Sequence, residues 1–301
     1  MVRACALAML ALMSISATAC GSSENRDGND GRLRVVATSV QIGALAKEVG
    51  GENISLVTLL EVGRDPHDFE PTPSDLKSIK NADVILVNGL GFDDFLDAAI
   101  KGAGGERPIV IVTDGITVRR QDGETEPDPH VWQNPVNVQQ MVRNIADALA
   151  TRDPENRSGY EQRAAAYTTV LEETDREIAA IISTIPAANR KMVTDHDAFG
   201  YFIERYGLTF LGAVIPGTTT QEEPSAKEIA ALTDLIRKEG VRAIFAEETV
   251  DSKVAREIAK DTGAKIIDDL FGDSLGIPGS GAETVHGMLL ANAKKIADAL
   301  K

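Results

Sequence analysis

The chain has 301 residues and a formal net charge of −15 at pH 7. Hydrophobic residues make up 43% of it and charged residues 26%, which is ordinary for a globular protein and argues against intrinsic disorder. The acidic balance opposes binding to nucleic acid or to anionic lipid surfaces, and it is compatible with attracting cations. About 280 residues follow the N-terminal segment, which is enough for two domains.

The first 31 residues have the features of an export signal. A single basic residue, Arg3, precedes an apolar run from Ala4 to Ile15, and small residues then lead to Cys20. This pattern is typical of a secretory signal peptide, and the run is too short for a comfortable membrane-spanning helix. We therefore predict a signal peptide over 1–19 and a flexible polar linker over 20–31.

The segment 17–21, ATACG, resembles a bacterial lipobox, with alanine in the place of the usual leucine three positions before the cysteine. The resemblance implies that Cys20 carries a lipid. The only other cysteine, Cys5, would be lost with the signal, so the mature protein is expected to form no internal disulfide. We expect the lipid to hold the protein at the outer face of the cell membrane, or in the periplasm if the host has two membranes.

Eight short runs rich in Val and Ile alternate with helical patterns along the chain. The runs are 33–38, 54–60, 83–88 and 108–113, followed by 191–195, 208–215, 241–247 and 264–268. Their nearly continuous apolar character predicts burial on both faces of a parallel sheet. We predict an α/β fold of two Rossmann-like lobes, over 32–152 and 187–301, each with a mainly parallel four-stranded sheet.

A long helical pattern over 153–186 separates the two series of strands. Pro154 suits the first turn of a helix, and Pro186 ends the pattern. An apolar stripe follows the pattern, formed by Tyr167, Val170, Leu171, Ile178, Ile181 and Ile182. We expect one rigid helix that bridges the lobes, and the alternative is two shorter helices broken near Gly159 or Thr174.

Four histidines occur in the chain, and three of them lie at predicted loop positions. His67 and His130 each follow Asp-Pro, and His196 follows a predicted strand; His286 lies in the last helical pattern, where no role in a site is expected. Folds of the α/β class place ligands beyond the carboxyl ends of their strands. Because neutral imidazole is a frequent ligand of zinc and of other first-row metals, the three loop histidines indicate a metal site.

A carboxylate as fourth ligand would complete a four-coordinate site. The residues alone leave several candidates open: Asp268, Asp269, Asp273, Glu247 and Glu248. Acidic neighbours could accept the second ring N–H of each histidine and so orient the imidazole. These neighbours are Asp65, Asp68, Asp128, Asp195 and Asp197.

Six segments occur in the order and approximate spacing of a known family. They are DPHDFEPTPSD, ADVILVNGLGFDDFL, DPHVWQNP, TDHDAFGYF, IFAEETVDSK and LFGDSLG. From Leu33 to Leu300 the chain resembles the metal-binding lipoproteins of bacterial ABC importers, the cluster A-I family that captures zinc or manganese. The resemblance implies two four-stranded lobes bridged by one long helix, no enzymatic activity, and delivery of the metal to a membrane permease with a cytoplasmic ATPase.

The resemblance also assigns the site residue by residue. It implies four metal ligands, His67, His130, His196 and Asp273. Glu247 matches an acidic position beside the ligands, and direct ligation by it is an alternative. Two features depart from the family pattern: Gln133-Asn134 replaces an apolar residue and aspartate, and the histidine-rich insertion of many zinc-dedicated relatives is missing before the second ligand.

Three nitrogens and one carboxylate favour zinc as the cargo, and manganese or iron is the alternative. A secreted zinc hydrolase would also use three histidines. Against it, the sequence has no H-E-x-x-H motif, and successive ligands are 63, 66 and 77 residues apart. An adhesin with a structural metal is the other alternative. We expect a monomer that binds one divalent ion between its lobes, and only local loop and second-lobe shifts on metal release.

Overall fold

The computed structural model describes residues 31–103, 108–120 and 126–301. The predicted signal peptide and Cys20 lie outside the described residues. Within those ranges none of the helices combines the length and the apolar character that a bilayer crossing requires.

The first lobe contains a four-stranded sheet with helices on its faces. Its strands are β1 Leu33–Ala37, β2 Ile54–Thr58, β3 Val84–Val87 and β4 Ile109–Ile111, and its helices are α1 Val40–Gly50, α2 Pro73–Asn81, α3 Phe95–Ala103 and α4 Pro135–Arg152. All strand pairs are parallel, in the order β2-β1-β3-β4. The order reverses between β1 and β3, and a crevice at the carboxyl ends of the strands is the usual ligand position in such sheets.

A single uninterrupted helix, α5 Arg157–Ser183, connects the lobes. Its 27 residues span about 40 Å. The alternative of two shorter helices is therefore wrong, and at one expected break the Thr174 hydroxyl donates a hydrogen bond of 2.8 Å to the Val170 carbonyl within the helix. Pro154 begins a separate 3-10 turn, so α5 begins at Arg157 and not at the proline.

Helix α5 is attached to both lobes by polar contacts as well as by its apolar face. Arg163 donates to the carbonyls of Val49 and Gly50 at 2.6 and 2.9 Å, where α1 ends and its last carbonyls lack helical partners. At the other end Asp175 accepts a hydrogen bond of 3.0 Å from Nε of Arg205 in the second lobe. Four residues of the predicted apolar stripe are buried, and the other two are partly buried: Tyr167, Leu171, Ile178 and Ile182, then Val170 and Ile181.

The second lobe repeats the topology of the first. Its strands are β5 Lys191–Thr194, β6 Thr209–Ala213, β7 Ala243–Glu247 and β8 Lys265–Leu270, and its helices are α6 Gly200–Tyr206, α7 Ala226–Glu239, α8 Lys253–Thr262 and α9 Val285–Leu300. The strands are parallel in the order β6-β5-β7-β8. Two parallel four-stranded sheets and a connecting long helix confirm the predicted fold class.

The predicted burial of the strands on both sheet faces is observed for the inner strands β3 and β7, but not for the strands at the edges of the sheets. Every residue of β3 and β7 is buried. In the edge strands Val57, Ile109 and Ile111 are 39%, 44% and 42% exposed. The prediction was wrong there because an edge strand has a neighbour on one side only, so its apolar residues are covered less completely.

One cluster of buried side chains extends through both lobes and the helix between them. It includes Ile42 and Trp132 of the first lobe, Leu171 of α5, and Phe199 and Phe245 of the second lobe. The lobes are therefore joined by packed apolar side chains and not only by the covalent chain. Opening them widely would expose part of this core to water, at a free-energy cost of about 25 cal/mol per Å² of apolar surface.

Candidate metal centre

Three histidines and one aspartate from four separate loops meet at the carboxyl ends of the two sheets. His67 lies in a 3-10 turn after β2, and His130 lies in the segment that leads into α4. His196 lies two residues after the end of β5, and Asp273 lies three residues after the end of β8. One potential ligand atom of each residue lies within 4.8 Å of all the others, so two residues of each lobe form one cluster.

The distances within the cluster suit a small cation. Nε2 of His67 and of His130 each lies 3.2 Å from an Asp273 carboxylate oxygen, and Nε2 of His196 lies 3.3 Å from one. Ligands about 2.0–2.1 Å from a tetrahedral zinc ion are separated from one another by about 3.3 Å. The three separations between imidazole nitrogens and carboxylate oxygens are therefore close to those between neighbouring ligands of a tetrahedral shell.

The cluster is sequestered from solvent. His130 and His196 are fully buried and Asp273 is 1% exposed, whereas the His67 side chain retains 12% exposure. Among the described residues none forms a hydrogen bond to the three Nε2 atoms or to either Asp273 carboxylate oxygen. Buried polar atoms without partners are costly, and a cation among these five atoms would satisfy all of them.

The second nitrogen of His130 is held by the acidic residue of its own Asp-Pro-His segment. Oδ1 of Asp128 lies 2.8 Å from His130 Nδ1 and accepts the His130 backbone N–H at 3.0 Å. Asp65 in the other Asp-Pro-His segment accepts the His67 backbone N–H at 2.9 Å and the Thr220 hydroxyl at 2.7 Å. Asp65 therefore holds the backbone of His67 and links this turn to Thr220 of the second lobe. This differs from the contact of Asp65 with the His67 ring that the sequence predicts.

Two acidic residues support the ligands of the second lobe. Oε1 of Glu247 lies 2.9 Å from His196 Nδ1, and Oε2 accepts the Asp273 backbone N–H at 2.8 Å. Asp195 lies farther from the ring, at 3.7 Å, and its carboxylate accepts the backbone N–H groups of His196 and Glu247 at 2.8 and 2.6 Å. Glu247 is thus the residue that orients the His196 ring.

Gly272 leaves room for this glutamate, because a β-carbon at position 272 would overlap the Glu247 carboxylate. We predict that Gly272→Ala displaces Glu247 from His196 and from the Asp273 backbone, and lowers metal affinity by about tenfold or more. Competition with a chelating dye measures the change. Ile277→Ala in the same loop, where the side chain is 68% exposed, is the control for an alanine in this segment. Equal affinities of the two variants would contradict the prediction.

The first lobe also holds the loop that carries Asp273. Trp132 Nε1 and Gln133 Nε2 donate to the Gly272 carbonyl at 2.9 and 3.0 Å. Asn134 accepts the Val136 N–H at 3.0 Å and so caps α4. The two positions that depart from the family pattern therefore perform a helix cap and an interlobe contact.

Residues 89–92 form a tight loop that places an aromatic ring beside the ligands. Gly89, Leu90 and Gly91 all have positive φ, and Leu90 at 59° is a non-glycine residue in this strained region. The loop places Phe92 with its ring centroid 5.6 Å from His67 and 5.1 Å from Trp132. This apolar wall excludes water from one side of the metal cluster.

Asp93 lies directly behind this loop and is buried. Its Oδ2 accepts the Gly89 N–H at 2.6 Å, and Oδ1 has no hydrogen-bond donor among the described residues. Burial raises its pKa to about 6. Because the pKa in the folded state exceeds that of the unfolded chain, Asp93 stabilises the fold below about pH 4, and this contribution is lost as the pH rises through about 6.

We therefore predict that Asp93→Asn gains stability relative to the parent protein as the pH rises. Between pH 4 and pH 7.5 the difference in unfolding free energy should shift by about 2.5 kcal/mol in favour of the variant. Urea unfolding of both proteins at the two pH values measures the shift, and titration of all other groups cancels in the comparison. The exposed neighbour Asp94 provides the control substitution, Asp94→Asn. A pH-independent difference for Asp93→Asn would refute this account.

Charges within the cluster compensate one another. Burial opposes charging of His130, but Asp273 and Asp128 outweigh it and raise its pKa to about 9. Burial likewise favours the neutral form of Asp273, yet His130 and His196 hold its pKa well below its usual range. The Asp273 carboxylate is thus anionic beside protonated imidazoles, and a divalent cation would take the place of their protons.

The remaining candidates lie away from the cluster. Asp268 and Asp269 are exposed and pair with Arg256 and Lys295 at 2.7 and 2.9 Å. Nδ1 of His286 lies 3.1 Å from the Tyr167 hydroxyl, between α9 and α5. Of the carboxylates left open by the sequence, Asp273 and Glu247 are the two that contact the histidines.

Comparison with known proteins identifies the family. Residues 35–299 match the family described as ZnuA, zinc-uptake complex component A, periplasmic. The chain belongs to the ZnuA family.

Two lipoproteins and one solved structure illustrate the similarity. The manganese ABC transporter substrate-binding lipoprotein PsaA of Streptococcus mitis is 32% identical over 305 residues, which cover 98% of this chain and 97% of that protein. The iron ABC transporter substrate-binding lipoprotein MtsA of Streptococcus pyogenes serotype M1 is 32% identical over 291 residues, covering 94% and 93%. The periplasmic zinc binding protein TroA from Treponema pallidum has a TM-score of 0.84 at 31% identity, covering 90% of this chain and 99% of TroA.

Membership of the ZnuA family determines the general function. The chain is an exported substrate-binding lipoprotein of a metal ABC importer, held at a membrane or in the periplasm, and its cargo is a divalent metal. It is not an enzyme, and the comparisons support neither the hydrolase nor the adhesin as its main role. An importer of this class implies a membrane permease and an ATPase as partners.

Proposed function

We propose that four residues hold one zinc ion as cargo between the lobes: His67, His130, His196 and Asp273. The observation that carries this proposal is the convergence of three imidazole Nε2 atoms on one carboxylate at 3.2–3.3 Å, with no other partner for these atoms among the described residues. Four protein ligands would complete a tetrahedral shell. Because no position is then left for a reactive water, this geometry suits capture and not hydrolysis.

The donor set favours zinc over manganese. Three imidazole nitrogens suit a borderline cation, whereas manganese prefers oxygen ligands and octahedral coordination. The cluster is closed by buried groups: the Phe92 ring lies 5.6 Å from His67, and Glu247 contacts both His196 and the backbone of Asp273. Additional water ligands for a six-coordinate ion would have to displace these groups.

The His67 side provides the route for the ion. His67 is the one partly exposed ligand, and two residues of the same turn, Asp65 and Asp68, line a cavity of about 590 Å³. Acidic residues line much of this cavity: Glu61, Asp65, Asp68, Glu70 and Asp75. Such a concentration of negative charge raises the local concentration of cations. We infer that the ion enters and leaves past His67.

Release then requires local movement. The turn that carries His67 is held from the second lobe, where Thr220 donates to Asp65 and Gln221 donates to the His67 carbonyl. Breaking these two contacts would free one ligand while the apolar core between the lobes stays closed. We expect metal-free and metal-loaded forms to differ at these loops and not by a large rotation of the lobes. A substantial change of the radius of gyration in solution scattering would contradict this mechanism.

Delivery completes the proposed cycle. We expect the protein to be a monomer that a lipid on Cys20 keeps at the outer face of a membrane. The polar segment over 21–31 would act as a flexible tether that lets the folded lobes move away from the membrane surface. The loaded form would dock on the permease, and the ATPase would power transport. Mass spectrometry of the intact protein extracted from membranes tests the lipid, and an unmodified N-terminus that includes Cys20 would disprove it.

The metal assignment is tested by metal content. A form beginning at Gly21 is stripped with chelator, reloaded from an equimolar mixture of zinc and manganese, and analysed by mass spectrometry. We expect one equivalent of zinc and little manganese. Preferential loading with manganese would overturn the choice of zinc, and absence of any bound metal would overturn the capture site itself.

A further inference from the structure

Arg119 of the first lobe inserts its guanidinium group into the second lobe beside the metal cluster. Nη1 donates to Asp128 Oδ2 at 2.8 Å and to Asp197 Oδ2 at 3.1 Å, and Nε donates to Glu204 Oε1 at 3.0 Å. Asp128 and Asp197 are fully buried, and the Arg119 side chain is 13% exposed. One cation thus bridges a buried carboxylate of each lobe.

Each of these carboxylates is next to a histidine of the cluster. Oδ2 of Asp128 binds Arg119, while its Oδ1 contacts His130 through both the ring and the backbone N–H. Asp197 directly follows His196 in the chain, and its N–H donates to the Gly217 carbonyl at 3.0 Å. Arg119 is therefore linked to a ligand of the first lobe and to the segment of a ligand of the second.

The second lobe is shaped to receive the guanidinium group. A β-carbon at Gly200, the first residue of α6, would overlap Arg119 Nη1 and Cζ. The Tyr201 hydroxyl accepts the Arg119 backbone N–H at 2.9 Å and donates to the Asp128 carbonyl at 3.0 Å. Backbone and side chain of Arg119 are thus both held by α6, which follows the His196 segment.

We propose that Arg119 is a positioning residue that locks the two halves of the metal site at the spacing of one small cation. This proposal rests on the proposed function, since it concerns the same four ligands. Without Arg119, Asp128 would keep its contact with His130, but the pairs that join Asp128, Asp197 and Glu204 would be lost. The separation of His130 and His196 would then be held less tightly, and the metal-free site would be less well organised for its ion.

The test compares variants in the full chain. Arg119→Gln is expected to weaken zinc binding by about tenfold to a hundredfold in a chelator competition and to speed metal dissociation. Because Co²⁺ absorption in the visible range reports coordination geometry, the Co²⁺ spectrum should change as well. Arg119→Lys keeps the positive charge but lacks the planar guanidinium group with its several N–H donors. Its zinc affinity is therefore expected to lie between those of Arg119→Gln and the parent protein. Gly200→Ala acts on the same guanidinium group from the opposite lobe and should give the same spectral change.

Arg205→Gln is the matched control. It removes another arginine–carboxylate pair of α6, with Asp175 on α5, away from the ligands. It should lower the unfolding temperature and leave both the Co²⁺ spectrum and the zinc affinity as in the parent protein. If Arg119→Gln does not fold, the Co²⁺ spectrum and the zinc affinity of Gly200→Ala test the proposal in its place.

Two results would overturn the proposal. One is a parent-like spectrum and affinity in folded Arg119→Gln or in Gly200→Ala. The other is an equal loss of affinity in Arg205→Gln, which would mean that affinity follows stability alone. Both leave the proposed function intact, whereas a parent protein that binds no metal would reject the proposed function and the positioning role together.

Discussion

Replacing Asp273 by alanine is expected to lower zinc affinity by at least about a hundredfold. Loss of a group that only hydrogen-bonds to a metal ligand lowers affinity by up to about a hundredfold, and loss of a ligand itself should cost at least as much. Asp273 is the residue that all three histidines approach, at 3.2–3.3 Å. Its loss would remove the anionic ligand, and the three imidazoles would be left to bind the cation without a neutralising charge. Zinc affinity is measured by competition with a chelating dye of known affinity.

Two acidic residues of the same segment provide matched controls. Asp268 and Asp269 lie in β8, the strand that precedes Asp273, and their carboxylates pair with Arg256 and Lys295 at the surface. Asp268→Ala and Asp269→Ala should therefore keep the zinc affinity of the parent protein. Undiminished affinity in Asp273→Ala would show that the carboxylate is not a ligand, and loss of affinity in either control would favour one of the alternatives that the sequence left open.

Zinc is expected to raise the unfolding temperature of the protein by about 10 °C when the free ion is about a thousandfold above its dissociation constant. Binding at that ratio adds about 4 kcal/mol to the unfolding free energy if the unfolded chain does not bind. For a chain of this size each kcal/mol shifts the midpoint by about 2–4 °C. Differential scanning calorimetry with and without zinc measures the shift.

The histidines supply an internal control for this effect. His196→Ala removes a ligand from the centre of the cluster, so most of the zinc-induced shift should disappear. His286→Ala removes the histidine that contacts Tyr167 between α5 and α9, outside the cluster. It should alter the starting stability and retain the shift. A shift of the same size in His196→Ala would mean that zinc stabilises the protein at another site.

Local sequence patterns predict much of this fold. Runs of Val and Ile locate the eight strands, and the helical pattern after Pro154 predicts the long connecting helix. Because parallel strands of one sheet present their carboxyl ends at the same edge, His67 after β2 and His130 after β4 can be expected at one edge of the first sheet from chain position alone. Exposure of Ile109 and Ile111 could not be predicted in this way, since edge position depends on sheet order and not on the residues of the strand itself.

The contacts that arrange the site are long-range and leave no local pattern. Gln133 and Gly272 are 139 residues apart in the chain, and Arg119 and Asp197 are 78 apart. Asp-Pro-His indicates that an acidic residue supports the histidine, but it does not indicate whether the ring or the backbone is held. Asp128 holds both the ring and the backbone of His130, whereas Asp65 accepts the backbone N–H of His67. Such differences depend on which groups the opposite lobe provides.

The buried cluster that joins Ile42, Leu171 and Phe245 also determines how the protein folds. Each lobe also has a smaller buried cluster of its own, but the largest apolar interior is shared between the two lobes and α5. The lobes should therefore unfold in one cooperative transition, and amides of β1 and β5 should share the same slow hydrogen exchange. Because side chains of α9 belong to this shared interior, we expect the protein to gain its metal-binding form during export only after α9 has crossed the membrane.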